Sequence, residues 1–581
     1  MDSAFCPVHS PKFRRRNLGM AEHGMDFTRR DFVKGATVIT GGILVFGAEA
    51  CGGTTTPTTT TAPPTTTKPL EKLPQLKFQF ANTGSNPNIA AFLQGQLKQN
   101  LNVDLTLEPM ESAAFQNLVN AKNHTWSFYG WGADYPDPEN FLQTIYGTNQ
   151  GNNKSGYSNA TVDANIASAM KELDNTKRLA LWDSVHKQVV DDCPGIYVFN
   201  RERFNLVAPA LKPTLKPTGQ DGQVMGDRLL RGVSMPSGKL RLNLGGDVNT
   251  LDTNIASWAS SLSILFNLFD GLLGFDQNLN LVPVVASVLP STTNGGISAD
   301  GKTYTFTLKS NVTWSDGKPC TAADFEYSIK RMLAKDTAAE YASMYFNIVG
   351  GEAYNAGTGP VTGVGVTALS ATSLQIKLVA AQPTFPQVMA LWPVYPVRKD
   401  VIDSKGSTAA FQAGNLIGNG PFTLTEWVPL DHITLKANAN YWGTKPTLTE
   451  ITFKQITDSQ ASLAAYKNGE IDMTGVPAGT EKATIADPTY GPQIVRGADL
   501  TTYAFQYNMT KAPLTNKLLR QALATAIDRD TYINTIRGGV GHPTTCWIPP
   551  GMPGYDATIG AAYKFDAAKA KTLLTQAGYT P

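Results

Sequence analysis

Trp131, Asp134 and Tyr135 stand close together in Gly130-Trp131-Gly132-Ala133-Asp134-Tyr135-Pro136-Asp137-Pro138-Glu139-Asn140-Phe141, a stretch that contains two prolines. The apolar run Trp126 to Tyr129 leads into it. A short strand ending in a rigid, proline-braced turn is the simplest reading of that pattern. Such a turn holds an aromatic plate and a negative charge in fixed relative positions. That pair suits a ligand with a flat or extended apolar body and a cationic end. Trp131 and Asp134 are therefore the leading ligand candidates, with Tyr135 as a second ring and Phe128 on the strand before them. The competing structural reading makes Asp134 a turn cap and leaves Asp137 and Glu139 as solvated acids. These acids lack the spacing of an EF-hand, so calcium is not expected.

Other chemistries find little support. The chain contains no GxSxG, HExxH or P-loop pattern, and its six histidines are scattered. Cys6, Cys51, Cys193, Cys320 and Cys546 form no CxxC and no Cys/His cluster with zinc-ligand spacing. No enzyme activity, metal or cofactor is expected. In an exported protein two of the last three cysteines could pair, and spacing alone does not choose which. With 49 Lys+Arg against 47 Asp+Glu, the net charge of +2 gives no nucleic-acid footprint. A length of 581 residues, 42% of them hydrophobic, suggests two to four domains.

The N-terminal region has its own logic. Thr28-Arg29-Arg30-Asp31-Phe32-Val33-Lys34 is a twin-arginine pattern, and an apolar run from Ala36 to Ala50 follows it. Small residues then precede Cys51, as in a bacterial lipoprotein signal. The run is too short to span a bilayer comfortably. Residues 1–51 are thus expected to direct export and to place a lipid on Cys51, anchoring the protein outside the cytoplasmic membrane. Residues 52–69 are rich in Thr and Pro, which favours an extended tether.

Strand-like and helix-like segments alternate through the rest, which argues an α/β architecture. Gln75–Phe80 alternates as a strand, and Ile89, Phe92, Leu93 and Leu97 recur at helical spacing. Thr161–Leu173 and Asn175–Asp191 read as helices, with Ile196–Phe199 as a strand. Lys212–Gly238 is rich in Pro and Gly and reads as a linker. Beyond it, strands are expected around Leu240–Leu244, Tyr304–Leu308, Leu374–Leu378, Ile433–Leu435 and Ile451–Phe453. Helices are expected at Ser261–Leu272, after the cap Thr321, and over Gln460–Asn468, Asn516–Ile527 and Ala567–Ala577.

Gly418-Asn419-Gly420-Pro421-Phe422-Thr423-Leu424-Thr425-Glu426-Trp427 and Asn440-Tyr441-Trp442 resemble the extracellular solute-binding proteins of peptide-type ABC transporters, the oligopeptide/dipeptide/nickel family. Asn249-Thr250-Leu251-Asp252, Trp314-Ser315-Asp316-Gly317, Asn468-Gly469-Glu470-Ile471-Asp472 and Ala526-Ile527-Asp528-Arg529 agree with it. The resemblance implies a two-lobed periplasmic-binding-protein-like fold of type II that closes on its ligand. It implies peptides or a related small solute as ligand, with an ABC permease and ATPase subunits as partners. A non-peptide solute such as an oligosaccharide or metal chelate, and a sensor or adhesin role, are the alternatives.

In peptide-binding members the aspartate at the Asp134 position pairs with the ligand's α-amino group, and Trp131 would pack on the ligand. Some members carry an arginine three residues before this tryptophan, where this chain has Phe128. Tyr354, Trp392 and Trp547 could add cleft aromatics. The order of the blocks departs from the family, in which the Gly-Trp, Asp-Tyr-Pro block lies near the C-terminus, after a Gln-Ala-Gly-Tyr segment. Here Gln576-Ala577-Gly578-Tyr579 is followed only by Thr580 and Pro581. A circularly permuted order is the expectation, with residues 236–498 as the first lobe and 206–235 as linker and return. Residues 70–205 and 499–581 would together make the second lobe.

Overall fold

The computed structural model describes residues 69–215, 227–276 and 278–581. The twin-arginine stretch, Cys51, almost all of the tether and the centre of the 206–235 connection lie outside the described residues. Among the described residues no helix is long and apolar enough to cross a membrane.

The fold is α/β and two-lobed. The largest sheet runs Leu105–Met110, Leu76–Ala81, Trp126–Gly132, Ile494–Tyr507, Gly195–Val207, Met473–Gly475, with His542–Pro543 also paired to Gly195–Val207. Its first three strands are parallel and the Ile494–Tyr507 strand runs antiparallel to both of its neighbours. Alternation along these strands sorts side chains to two faces. Ile196, Val198 and Phe505 enter one core with Phe78, Leu93 and Leu523. Tyr197 and Ala504 enter the opposite one with Phe141, Trp182 and Trp547.

The other lobe gathers its core mainly from residues between Val207 and Phe453. It contains a four-stranded sheet, Phe422–Val428, His432–Ala437, Glu450–Lys454 and Lys239–Asn243, and a three-stranded sheet, Thr303–Thr307, Ser373–Lys377 and Val366–Ser370. The Ala322–Leu333 helix starts with a Thr321/Asp324 capping box that satisfies two otherwise orphan N–H groups.

Several elements differ from the sequence expectation. The strand expected at Ile196–Phe199 extends over Gly195–Val207, and its partner Ile494–Tyr507 was not anticipated. Pro138–Tyr146, within and beyond the proline-rich turn, is helical, because Pro138 occupies the first turn, where its missing N–H costs nothing. Cys193, Cys320 and Cys546 are free and buried in three different cores, so no pair forms among them.

Candidate functional site

The Trp126–Gly132 strand delivers the turn, and two glycines let it lie flat against its neighbour. A Cβ at Gly130 would fall 2.4 Å from Cε1 of Tyr503, and one at Gly132 would fall 3.0 Å from Oγ1 of Thr501. Only glycine at position 130 allows the Tyr503 ring to cover the backbone there.

Asn140 organises the turn. Its Oδ1 accepts from the Trp131 indole N–H at 3.0 Å and from the Asp134 backbone N–H at 3.1 Å. Its Nδ2 donates to Asp134 Oδ2 at 3.0 Å. One amide therefore fixes the aromatic plate and the carboxylate together, as the sequence suggested a rigid turn would. Burial raises the Asp134 carboxyl above its usual range, and the Asn140 bond partly offsets this. Among the described residues no cationic side chain forms an ion pair with Asp134.

The two following acids are structural. Asp137 caps the Pro138–Tyr146 helix by accepting from Glu139 N at 3.1 Å. Arg178 binds it with two parallel bonds, 2.9 and 2.7 Å, and both side chains are almost wholly buried, at 6% and 2% exposure. Asp137 is therefore not a solvated acid. Glu139 is also buried, against Tyr135 and against Thr384 of the other lobe. Burial, and then the Asp137 charge, pushes its carboxyl up to about 7.

Tyr135 reaches across as well, because it belongs to the core of the other lobe. The turn thus docks on that lobe, and Tyr341 marks the contact. Burial, and then the Asp134 charge, pushes the Tyr341 phenol up to about 12. Trp392 supports Tyr341 edge-on at 4.9 Å and donates from its indole N–H to Ala256 O at 2.7 Å. Near that carbonyl, Trp258 stands 51% exposed.

These positions correct part of the sequence reading. Trp547 is a core residue of the Trp131 lobe, fully buried, with its indole N–H donating to Phe141 O. Trp392 is buried and holds Tyr341. Phe128 stacks on Tyr503 at 5.4 Å, and Tyr503 stacks on Phe199 at 4.9 Å, so the Phe128 ring serves the sheet. Tyr135 packs between lobes, and Tyr354 is half-buried against the core of the other lobe. Trp131 and Asp134 remain together at the turn. Asn140 and Tyr341 were not anticipated. Asn140 lies in the same stretch as Trp131 and Asp134, whereas nothing near Tyr341 in sequence announces its place.

Known proteins resemble this chain in sequence and fold. The chain is 31% identical over 345 residues to the periplasmic oligopeptide-binding protein OppA of Escherichia coli (strain K12), covering 58% of this chain and 62% of that protein. It is 32% identical over 327 residues to the dipeptide-binding protein DppE of Bacillus subtilis (strain 168), covering 55% and 58%. The solved structure of the murein tripeptide-binding protein MppA, in an unliganded open form, matches with a TM-score of 0.51 and 27% identity. That match covers 59% of this chain and 66% of that one. The chain thus spans about three fifths of the length of the curated relatives it matches. The family model for bacterial extracellular solute-binding proteins, family 5 Middle, matches residues 52–153 and 281–581, well over half of the sequence, and the chain belongs to that family.

Proposed function

We propose that the protein is the solute-binding component of an ABC importer and captures peptides between its two lobes. The observation that carries this reading is Asp134: a carboxylate largely withdrawn from water, aimed by Asn140, and unpaired by any cation among the described residues. A charge held that way attracts an ammonium, whose own desolvation is offset by a charged hydrogen bond. Trp131 supplies the adjacent plate, and Tyr341 of the other lobe lies near Asp134. In this reading the lobes are residues 206–498, and 70–205 with 499–581. The Gly195–Val207 and Ile494–Tyr507 strands then pass between them and act as the hinge. A permease and two ATPases are the partners, and a lipid on Cys51 keeps the protein at the outer face of the membrane.

A permuted chain order belongs to the same proposal. Supporting it, Glu71 N donates to Gly578 O at 2.9 Å and Thr580 N donates to Glu71 O at 2.9 Å, so these two segments lie side by side. A connection of Leu73 to Tyr579 would restore the block order of the family with little rearrangement.

Native mass spectrometry of the purified protein tests the ligand class. A ladder of co-purified peptides of mixed sequence is the expected result. A single sugar or metal chelate in their place overturns the peptide assignment.

A further inference from the structure

Three carboxyls gather where the turn docks on the other lobe, and their charges are not balanced. Asp137 and Glu139 are 1% and 5% exposed, and burial raises the Asp134 carboxyl as well. The guanidinium beside them is Arg178, from the Asn175–Asp192 helix. Asp137 takes both of its terminal nitrogens, and Asn175 Oδ1 accepts a further bond from it at 2.9 Å. Glu139 therefore forms no ion pair of its own among the described residues. The hydroxyls beside it are the Tyr135 phenol, from the turn, and that of Thr384, which precedes the Phe385–Val388 helix of the other lobe. The charged and titratable groups facing Glu139 are thus Asp137, Arg178 and Tyr135, and the other lobe brings the uncharged Thr384.

A carboxyl closed off from water without a cation keeps its proton. As the neutral acid, Glu139 fits the contact. As the carboxylate, it adds a negative charge beside Asp137 with no cation to balance it. Opening the lobes changes that environment. The Pro138–Tyr146 helix stays with its own core through Phe141, Leu142 and Ile145, while Phe385 stays in the other. Separation therefore takes Thr384 away and returns the Glu139 side chain to water, where its carboxyl regains its ordinary value of 4.5.

We propose that Glu139 is a proton latch between the lobes: protonated, it keeps the turn docked, and ionised, it favours opening, so that a bound peptide escapes faster as the pH rises. The inference rests on the peptide reading above. On opening, the proton passes from the Glu139 carboxyl to water, and on closing it returns. The docked residue, at about 7, holds its proton more tightly than the hydrated one, at 4.5. The docked state is thus favoured in full below the lower value and loses that advantage as pH rises through the higher one. Between about pH 5.5 and about pH 8 this one group should enlarge the open population at least about tenfold.

Release of a mixed-sequence tripeptide pool from the preloaded full-length protein, followed over time by mass spectrometry, tests it. Two other groups also respond to pH. Acid neutralises the Asp134 charge, and alkali neutralises the peptide amine. Both are shared with Glu139→Gln, so the comparison of the two proteins isolates the latch. From about pH 5.5 to about pH 8, release from the unaltered protein should accelerate at least about tenfold more than release from Glu139→Gln. The same acceleration in both proteins overturns the latch and leaves the peptide reading standing. Thr384→Val gives a second readout should Glu139→Gln not fold. The Thr384 hydroxyl favours the charged form of Glu139, so its removal should move the midpoint of the release profile to higher pH. An unmoved midpoint overturns the latch across the lobes. Retention of no peptide by the unaltered protein overturns the peptide reading and the latch with it.

Discussion

Replacing Glu139 by Gln should stabilise the protein at alkaline pH and leave it almost unchanged in acid. Glu139 is buried where the turn meets the other lobe, with Asp137 beside it, and its carboxyl titrates at about 7 in the folded protein instead of 4.5. The Arg178 guanidinium and the Tyr135 and Thr384 hydroxyls favour the charged form, but burial outweighs them. A folded pKa above the unfolded one means that the native state holds the proton more tightly. Stability therefore falls as pH rises from about 4.5 to about 7 and stays low above that. Each pKa unit corresponds to about 1.4 kcal/mol, so the ionised residue costs about 3 kcal/mol at pH 8. Gln keeps the shape without the charge. Urea denaturation of both proteins from pH 4.5 to 8 isolates this residue, because other groups cancel in the difference. The expected difference is near zero at pH 4.5 and grows to about 2–3 kcal/mol in favour of Glu139→Gln at pH 8. A flat difference across that range would refute the reasoning.

Other consequences follow from the same contacts. Arg178→Met leaves the Asp137 carboxylate buried without its partner and should destabilise the fold by about 3–5 kcal/mol in denaturant titrations; a loss under 1 kcal/mol would mean that water reaches the pair. Asn140→Ala removes all three bonds that tie Trp131 to Asp134 and should weaken peptide binding by about tenfold, at a stability cost of about 1–3 kcal/mol; calorimetry showing unaltered affinity would remove Asn140 from the site. Residues 236–581 alone should fail to form a cooperative monomer, since the Ile494–Tyr507 strand would lack both of its neighbours, Trp126–Gly132 and Gly195–Val207. A sharp thermal transition in that fragment would contradict the lobe assignment.

The elements that sequence reasoning located were those whose signals are local. Thr321, Asn516 and Asp566 stand next to periodic apolar residues, and each begins a helix in the structure. The Ile494–Tyr507 strand escaped notice because Gly497, Asp499, Thr501 and Thr502 interrupt its apolar alternation. Their polar groups are satisfied across the sheet, by Arg201 for Asp499 and by Asn200 for Thr502, and those partners lie some 300 positions earlier in the chain. The turn itself was legible because its prolines and glycines restrict the backbone locally. What could not be read was which aromatics face the cleft. Trp547 and Trp392 look alike in sequence to a ligand plate, and only the surrounding packing places them in cores. Tyr341 shows the converse, a residue near Asp134 that comes from the other lobe without any local signature.

The central claim is that Asp134 holds the amino end of a peptide. Isothermal calorimetry of Asp134→Asn against the unaltered protein, with a peptide identified from the co-purified ladder and its N-acetylated form, tests it most directly. The substitution and the acetyl group should each weaken binding at least about tenfold, and their effects should not add. Unchanged affinity of Asp134→Asn for the free peptide would contradict it.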